Sequence, residues 1–381
     1  MTNELKIDLD WIPVLHNGTR WEKISDNHYL LYNDYYGTKM FVTFSAIAII
    51  NNINNVDSIR SIADKLTNGK AKSIDYDRIQ SFFSEKLYKN GILETNDKNI
   101  KKKKSHIHWE MNIIPENILY IICTPLLFLF KKNTAILILI FCIITIGWTI
   151  LKTQTFNMFR SAETNYIIFI IGMVTLILFH EFGHCTALQY FGKRSKGIGF
   201  GFYFFSPILF ADVNPSWTLS TNKRMVVDMG GFYFQLIITT IYLLIYNLTD
   251  EQTLLNISIL SFFLFMFNMN PLINTDMYWF IADYLKYSNL NSEAMEELVS
   301  ALKKDRPSKL NKFLLSFGLI KILFVSVVFV LITFFMFSTS LTIIQGKYIA
   351  TLQTLIKDII TILGFFFFIK EIIEIFIRRI K

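Results

Sequence analysis

Long apolar segments without charged residues constrain this chain more than any other feature. Several reach about 20 residues, the length that an α-helix needs to cross a bilayer. Hydrophobic residues make up 52% of the chain and the mean hydropathy is +0.38, values too high for an ordinary soluble domain. The net charge of +8 lies between these segments, so it indicates membrane topology rather than nucleic-acid binding. The sequence therefore predicts a mainly α-helical, polytopic membrane protein.

The positions of lysine and arginine favour about six spans. Residues 117–130 are short, contain Pro125 and would reverse every later basic loop if they crossed, so we expect them at the membrane interface. The predicted spans cover residues 134–151, 165–190, 225–246, 254–270, 313–337 and 349–376. Both termini and every basic cluster then lie in the cytoplasm.

The expected organisation has four parts. They are a first domain at residues 1–95, a basic linker with the interfacial segment at 96–133, a catalytic membrane core at 134–285, and a cytoplasmic connector with the last helices at 286–381.

The first part differs from the rest because it mixes polar and apolar residues and contains no spanning segment. Two strands around Asp26-Asn27, a third strand at residues 38–44 and three helices predict a winged-helix-like α+β domain. Its strand pattern, its helix at residues 58–66 and its closing segment FFSEKLYKNGILE (82–94) resemble the PqqD-like domain of ribosomal-peptide maturation systems. The resemblance implies a leader peptide that binds by adding a strand to the sheet edge. The alternative is a winged helix that binds DNA or only packs.

The apolar run at residues 166–179 continues directly into HEFGH at residues 180–184. On a helix, residues four apart share a face, so His180 and His184 present their imidazoles together, with Glu181 beside them. Ionisable side chains at membrane depth are costly, and this makes the cluster a functional-site hypothesis. The pattern is typical of a zinc site with a glutamate as general base, and the alternative is a chance spacing.

A catalytic zinc ion takes three protein ligands, so one more residue must reach the same depth. Asp276 follows the segment Asn268–Pro271 at the predicted cytoplasmic end of the fourth span, on the side where the second span carries HEFGH. We therefore predict Asp276 as the third ligand. Asp212, Asp228 and Asp283 are the competing carboxylates. Asp283, seven residues beyond Asp276, is also a candidate for steadying a neighbouring group.

These residues together resemble the site-2 protease family of intramembrane zinc metalloproteases. HEFGH matches the family's HExxH, and Asn268, Pro271 and Asp276 match its NxxP(x)₄D pattern. Met229-Gly230-Gly231 is similar to the glycine-containing start of the family's next core helix. The resemblance covers about residues 134–285 and is strongest for the peptide zinc metalloprotease branch, which often carries a PqqD-like domain.

The resemblance implies roles for individual residues. His180, His184 and Asp276 would hold Zn²⁺, and Glu181 would act as general base. Asn268 is a candidate hydrogen-bond donor to the oxyanion, with the alternative that it satisfies backbone groups near the following proline.

Two positions depart from the family pattern. Met277 stands where the family has glycine after the ligand aspartate, and Gln235 stands where related chains carry asparagine or glutamate. Neither change removes a ligand or the general base.

The segment Gly197–Asn214 (GIGFGFYFFSPILFADVN) does not suit a spanning helix, because it combines glycines, aromatics and a proline. It predicts two antiparallel strands at the cytoplasmic interface. An edge strand there would hold an extended peptide over the zinc, and the expected substrate-binding residues are Gly199, Phe200, Gly201 and Phe202. The alternative is a membrane-surface hairpin without substrate contact.

The expected function is an intramembrane zinc endopeptidase that matures a ribosomally synthesised, modified precursor peptide in the cytoplasmic membrane of a bacterium. The expected partners are this leader-bearing peptide and membrane lipid, without nucleic acid. One alternative is regulated intramembrane proteolysis of a signalling membrane protein. Another is a non-enzymatic component of peptide export or immunity.

Overall fold

The fold is described from a computed structural model of the chain. The described residues are 7–25, 28–33, 35–36, 38–67, 76–94, 107–153, 164–203, 206–287, 289–302 and 311–344. The chain divides into two compact units, one comprising residues 1–106 and 217–220, the other residues 107–216 and 221–381. The described residues are mostly helical and include two three-stranded sheets.

The first unit contains a meander of three antiparallel strands followed by short helices. Its elements are β1 (Thr19–Ser25), β2 (His28–Asn33), β3 (Thr38–Thr43), α1 (Phe44–Asn51), α2 (Ile59–Thr67) and α3 (Tyr76–Ser81), which continues as a π-helical segment over Phe82–Tyr88. The predicted strands and helices of the first domain are therefore present. The turn residues Asp26-Asn27 lie outside the described residues, and the likeness to a winged helix stays a prediction.

A buried asparagine joins the second strand of this unit to its closing segment. Asn33 donates from Nδ2 to the carbonyl oxygen of Gly91 at 2.8 Å, and its Oδ1 accepts from the backbone N–H groups of Tyr35 and Tyr36 at 2.9 and 3.0 Å. Gly91 has a φ of 68°, the left-handed conformation that suits a glycine after a helix. The closing segment of the unit is thereby tied to the end of β2.

The second unit combines apolar helices with one sheet. Its elements are β4 (Ile107–Pro115), α4 (Glu116–Cys123) with a 3₁₀ extension over Thr124–Phe130, α5 (Lys132–Thr153), α6 (Tyr166–Tyr190), β5 (Gly197–Tyr203), β6 (Ser206–Ala211), α7 (Thr221–Asp228), α8 (Gly230–Thr249), α9 (Gln252–Asn268), α10 (Asp276–Tyr284), α11 (Leu290–Leu302) and α12 (Lys312–Ile344). The sheet has the antiparallel order β4-β5-β6.

Three helical segments in the described residues are long and apolar enough to cross a membrane, namely Lys132–Thr153, Tyr166–Tyr190 and Thr221–Thr249. They coincide with the first three predicted spans. The predicted interfacial segment and the fourth predicted span are shorter apolar helices, Glu116–Phe130 and Gln252–Asn268. The fifth predicted span lies within α12, and the sixth lies outside the described residues, so a total of six spans stays a prediction.

Helices α6 and α8 approach so closely that their backbones touch. A Cβ atom added at Gly183 would lie 2.1 Å from the carbonyl oxygen of Gly230, and one added at Gly230 would lie 2.5 Å from the carbonyl oxygen of Gly183. Small residues at such a crossing are what permits tight helix association in a bilayer. The contact lies within HEFGH, so it sets the position of the histidines relative to α8.

Replacement of Gly183 by alanine is expected to force α6 and α8 apart, because the blocking atoms belong to backbone. The expected cost is about 1–3 kcal/mol of unfolding free energy, together with loss of metal binding. The unfolding midpoint in detergent and the bound zinc are the measurements. Gly147→Ala in α5 is the matched control, because nothing lies within 4 Å of its added Cβ. Equal midpoints and equal zinc contents for the two variants would contradict the close contact.

Candidate metal centre

Helix α6 presents two histidines on one face. Their Nε2 atoms are 3.3 Å apart and their ring centroids 4.9 Å apart. The helix is anchored at its start by Asn165, whose Oδ1 accepts from the backbone N–H of Ile167 at 3.0 Å. His180 and His184 are thus held in the second half of a long apolar helix, with their Nε2 atoms converging.

A turn and a short helix bring an aspartate to these two rings. After α9 ends, Asn270 accepts from the N–H of Leu272 at 3.0 Å, and Thr275 donates its hydroxyl to the Asn270 carbonyl at 2.8 Å. Asp276 then begins α10. Its Oδ2 lies 3.0 Å from His180 Nε2, and its Oδ1 lies 3.5 Å from His184 Nε2.

The three predicted ligands therefore meet. One potential ligand atom from each of His180, His184 and Asp276 lies within 4.8 Å of the other two. Among the described residues, no other group of three histidine, cysteine or acidic side chains converges in this way.

The outer ring nitrogens show that this donor set fits a cation. His180 Nδ1 lies 3.2 Å from Gln235 Oε1, and His184 Nδ1 lies 2.8 Å from the Val227 carbonyl oxygen. Gln235 in turn donates from Nε2 to the Ser261 carbonyl at 3.0 Å, so its oxygen faces the ring. Because both partners are acceptors, each Nδ1 carries the proton and each Nε2 offers a lone pair to the cluster.

The space around the two rings agrees with this assignment. A Cβ atom at Gly231 would lie 2.4 Å from His184 Nε2 and 2.6 Å from His180 Nε2. A glycine at the start of α8 is thus what leaves room for the rings.

Glu181 lies next to the cluster, and a hydrogen bond from the sheet holds its side chain. Its Oε2 accepts from the backbone N–H of Ala211 at 2.7 Å. Ala211 is the last residue of β6, so the end of this strand lies beside the predicted general base.

Two sets of predicted residues make no hydrogen bond to the histidines within the described residues. Asn268 ends α9 and is half-buried, and within the described residues its side chain makes no hydrogen bond to the cluster. Gly199, Phe200, Gly201 and Phe202 lie in β5, within the predicted hairpin. The sequence did not predict the third strand of this sheet, β4, which pairs with β5 on the side opposite β6. β5 is therefore central, and β6 is the edge next to it.

The competing carboxylates have other surroundings. Asp212 accepts from the N–H of Asn214 at 3.1 Å, in the turn after β6. Asp283 pairs with Arg224 in a buried bidentate contact. Asp228 has a buried Oδ2 without a hydrogen-bond partner among the described residues. The Arg224 contact was not expected, because Lys223-Arg224 reads in sequence as a topology signal.

Comparison with known proteins shows a distant similarity. No protein-family model and no solved structure matches the chain. The chain is similar to the Bacillus subtilis (strain 168) protein named "Putative peptide zinc metalloprotease protein YydH", with 28% identity over 123 residues. The matched part is 32% of this chain and 48% of that protein, so the chain spans about half the length of this relative.

Replacement of Gln235 by leucine is expected to weaken zinc binding by about 10- to 100-fold, because His180 loses the acceptor that fixes its ring. Competition with a chromogenic chelator measures the affinity. The matched control is Thr240→Val, which removes a buried hydroxyl from the same helix. If Gln235→Leu bound zinc as tightly as Thr240→Val, the amide would have no part in orienting the ring.

Proposed function

We propose that this protein is a zinc endopeptidase that acts in a membrane, of the site-2 protease type. The observation that carries the proposal is the convergence of His180, His184 and Asp276, with Glu181 beside them. The name of the distant Bacillus relative supports the same chemistry. The three helices that are long and apolar enough to cross a membrane support the location.

The ligands and Glu181 have separate roles in the proposed peptide hydrolysis. His180, His184 and Asp276 would hold Zn²⁺, the typical set of three protein ligands with one open position. When bound, zinc supplies Lewis-acid chemistry, which lowers the pKa of water and polarises a carbonyl group. Ala211 fixes Oε2 of Glu181, and the other carboxylate oxygen is the one that takes a proton from the attacking water. Glu181 then passes this proton to the leaving amine.

The edge of β6 that faces away from β5 pairs with no other described strand, and it is the proposed binding edge for the substrate. Asp212 N–H donates to the Gly197 carbonyl at 2.9 Å, whereas Ala211 N–H donates away from β5 to Glu181. Because inward and outward residues alternate in an antiparallel ladder, Leu209 and Pro207 also direct their backbone groups outward. Pro207 has no N–H, so Leu209 supplies the N–H donor for an added strand.

This geometry leads an extended peptide to the proposed general base. Leu209 lies two residues, or about 7 Å along the strand, from Ala211. A peptide that pairs with Leu209 as an added strand would therefore pass beside Glu181. This assigns the strand-pairing role to β6. Of the predicted residues of β5, only Phe200 and Phe202 then have a side chain for substrate contact.

We further propose that the substrate is a ribosomally synthesised, modified precursor peptide that carries a leader. The first unit supports this with a three-stranded sheet whose outer strands, β1 and β3, each leave one edge unpaired by another described strand. Such an edge can accept a peptide as an additional strand. Capture of the leader would raise the effective concentration of the cleavage site at the membrane.

Replacement of Glu181 by glutamine is expected to lower peptide cleavage by at least about 10²-fold, because the amide cannot accept the proton of water. Zinc content should stay at the wild-type level. The assay incubates the full chain in liposomes with a library of synthetic peptides and identifies products by mass spectrometry. Glu116→Gln at the start of α4 is the matched control and should cleave like wild type.

Each peptide in this library is supplied with and without an N-terminal leader extension. Leader-bearing peptides should be cleaved about 10²-fold faster at low concentration. Products that form at wild-type rate with Glu181→Gln would contradict a hydrolytic role. Equal rates for the two peptide forms would contradict leader capture and leave the hydrolytic role standing.

Replacement of Leu209 by proline is expected to abolish peptide cleavage, because it removes the outward N–H of β6 without removing a hydrogen bond between β5 and β6. Leu209→Ala keeps this N–H and should retain most activity. Cleavage rates and zinc contents of both variants are the measurements. If proline and alanine at this position reduced activity equally, pairing of substrate with β6 would be wrong.

A further inference from the structure

Helix α7 carries none of the proposed ligands, yet two of its residues contact the elements that do. The Val227 carbonyl accepts from His184 Nδ1 at 2.8 Å. One turn earlier, Arg224 donates from Nε and Nη2 to the two carboxylate oxygens of Asp283, at 2.8 and 2.7 Å. Helix α7 is therefore joined to α6 at one ligand and to α10, the helix of another ligand.

The contact with Asp283 also affects the position of Asp276, because both residues belong to α10. The two aspartates are seven residues apart in one helix, so they lie about two turns apart on nearly the same face. A guanidinium that holds both oxygens of Asp283 fixes the rotation of the helix as well as its distance. The direction in which the Asp276 carboxylate points depends on that rotation.

Because this ion pair is buried, its main effect is to orient α10 relative to α7. The side chains of Arg224 and Asp283 are only 5% and 11% exposed. Burying two charges costs about as much as their attraction returns, so such a pair adds little stability compared with apolar residues of similar size. Its geometric effect is strong, because a displacement of either side chain would take a buried charge away from the bidentate partner that it has here.

We propose that Arg224 is a positioning residue for the metal centre. Through Asp283 it sets the carboxylate of Asp276, and the Val227 carbonyl on the same helix sets His184. Helix α7 thereby fixes the position of one ligand from α6 relative to one ligand from α10. This inference rests on the proposed metal centre, and it does not depend on the identity of the peptide substrate.

Zinc affinity of the full chain in detergent tests this role. Arg224→Lys keeps the charge but replaces the planar fork by a single ammonium group. The double variant Arg224→Met with Asp283→Leu replaces the pair by apolar side chains. Zinc binding, measured by chelator competition, should weaken by about 10-fold in the first and about 100-fold in the second.

The visible spectrum of the cobalt-loaded protein separates positioning from general stability. Both variants should show a changed spectrum, because the coordination geometry around the ion is altered. The unfolding midpoint of the zinc-free double variant should stay close to that of the zinc-free wild type. The control is Lys152→Met with Asp250→Asn, which removes a more exposed ion pair of the same unit and should change neither affinity nor spectrum.

The outcomes are distinct. The positioning role would be overturned if Arg224→Lys and the double variant both kept the wild-type zinc affinity and an unchanged cobalt spectrum. The proposed function would then still stand. If the double variant does not fold, Arg224→Lys alone decides by the same two readouts. If the wild-type chain binds no zinc, the metal centre and this inference both fail.

Discussion

The contact between the backbones of α6 and α8 is the constraint on which the rest of the site depends. Gly183 and Gly230 leave no room for a side chain between the two helices. The same approach places Gly231 against both imidazoles and brings Gln235 to the outer nitrogen of His180. A side chain at the crossing would therefore disturb the ligands as well as the packing.

The two histidines, Glu181 and the helix that carries Asp276 are each held by a partner from a different element. His180 is held by α8, His184 by α7, Glu181 by the end of β6, and α10 by Arg224. In an apolar environment such polar groups must be satisfied within the protein. The result is that two rings and a carboxylate converge although they come from segments nearly 100 residues apart.

The sequence predicted the residues of this site better than their surroundings. His180 and His184 followed from helical periodicity, and the position of Asp276 followed from the loops that carry lysine and arginine. The contacts of Gln235, Val227 and Arg224 could not be predicted, because they depend on how α7 and α8 are rotated against α6. The Val227 contact also uses a backbone carbonyl, which no residue type reveals.

The same limit applies to the sheet. Glycines, aromatics and Pro207 indicated a hairpin at residues 197–214, and the structure has β5 and β6 there. The third strand, β4, is separated from β5 by the three helices α4, α5 and α6, so no local pattern joins it to β5. X-ray absorption spectroscopy of the zinc-loaded full chain tests the central claim that His180, His184 and Asp276 bind one metal ion. The account predicts one zinc per chain with nitrogen and oxygen ligands at about 2.0–2.2 Å, and loss of this signal in Asp276→Ala. Sulfur ligands at about 2.3 Å, or an unchanged spectrum in Asp276→Ala, would contradict it.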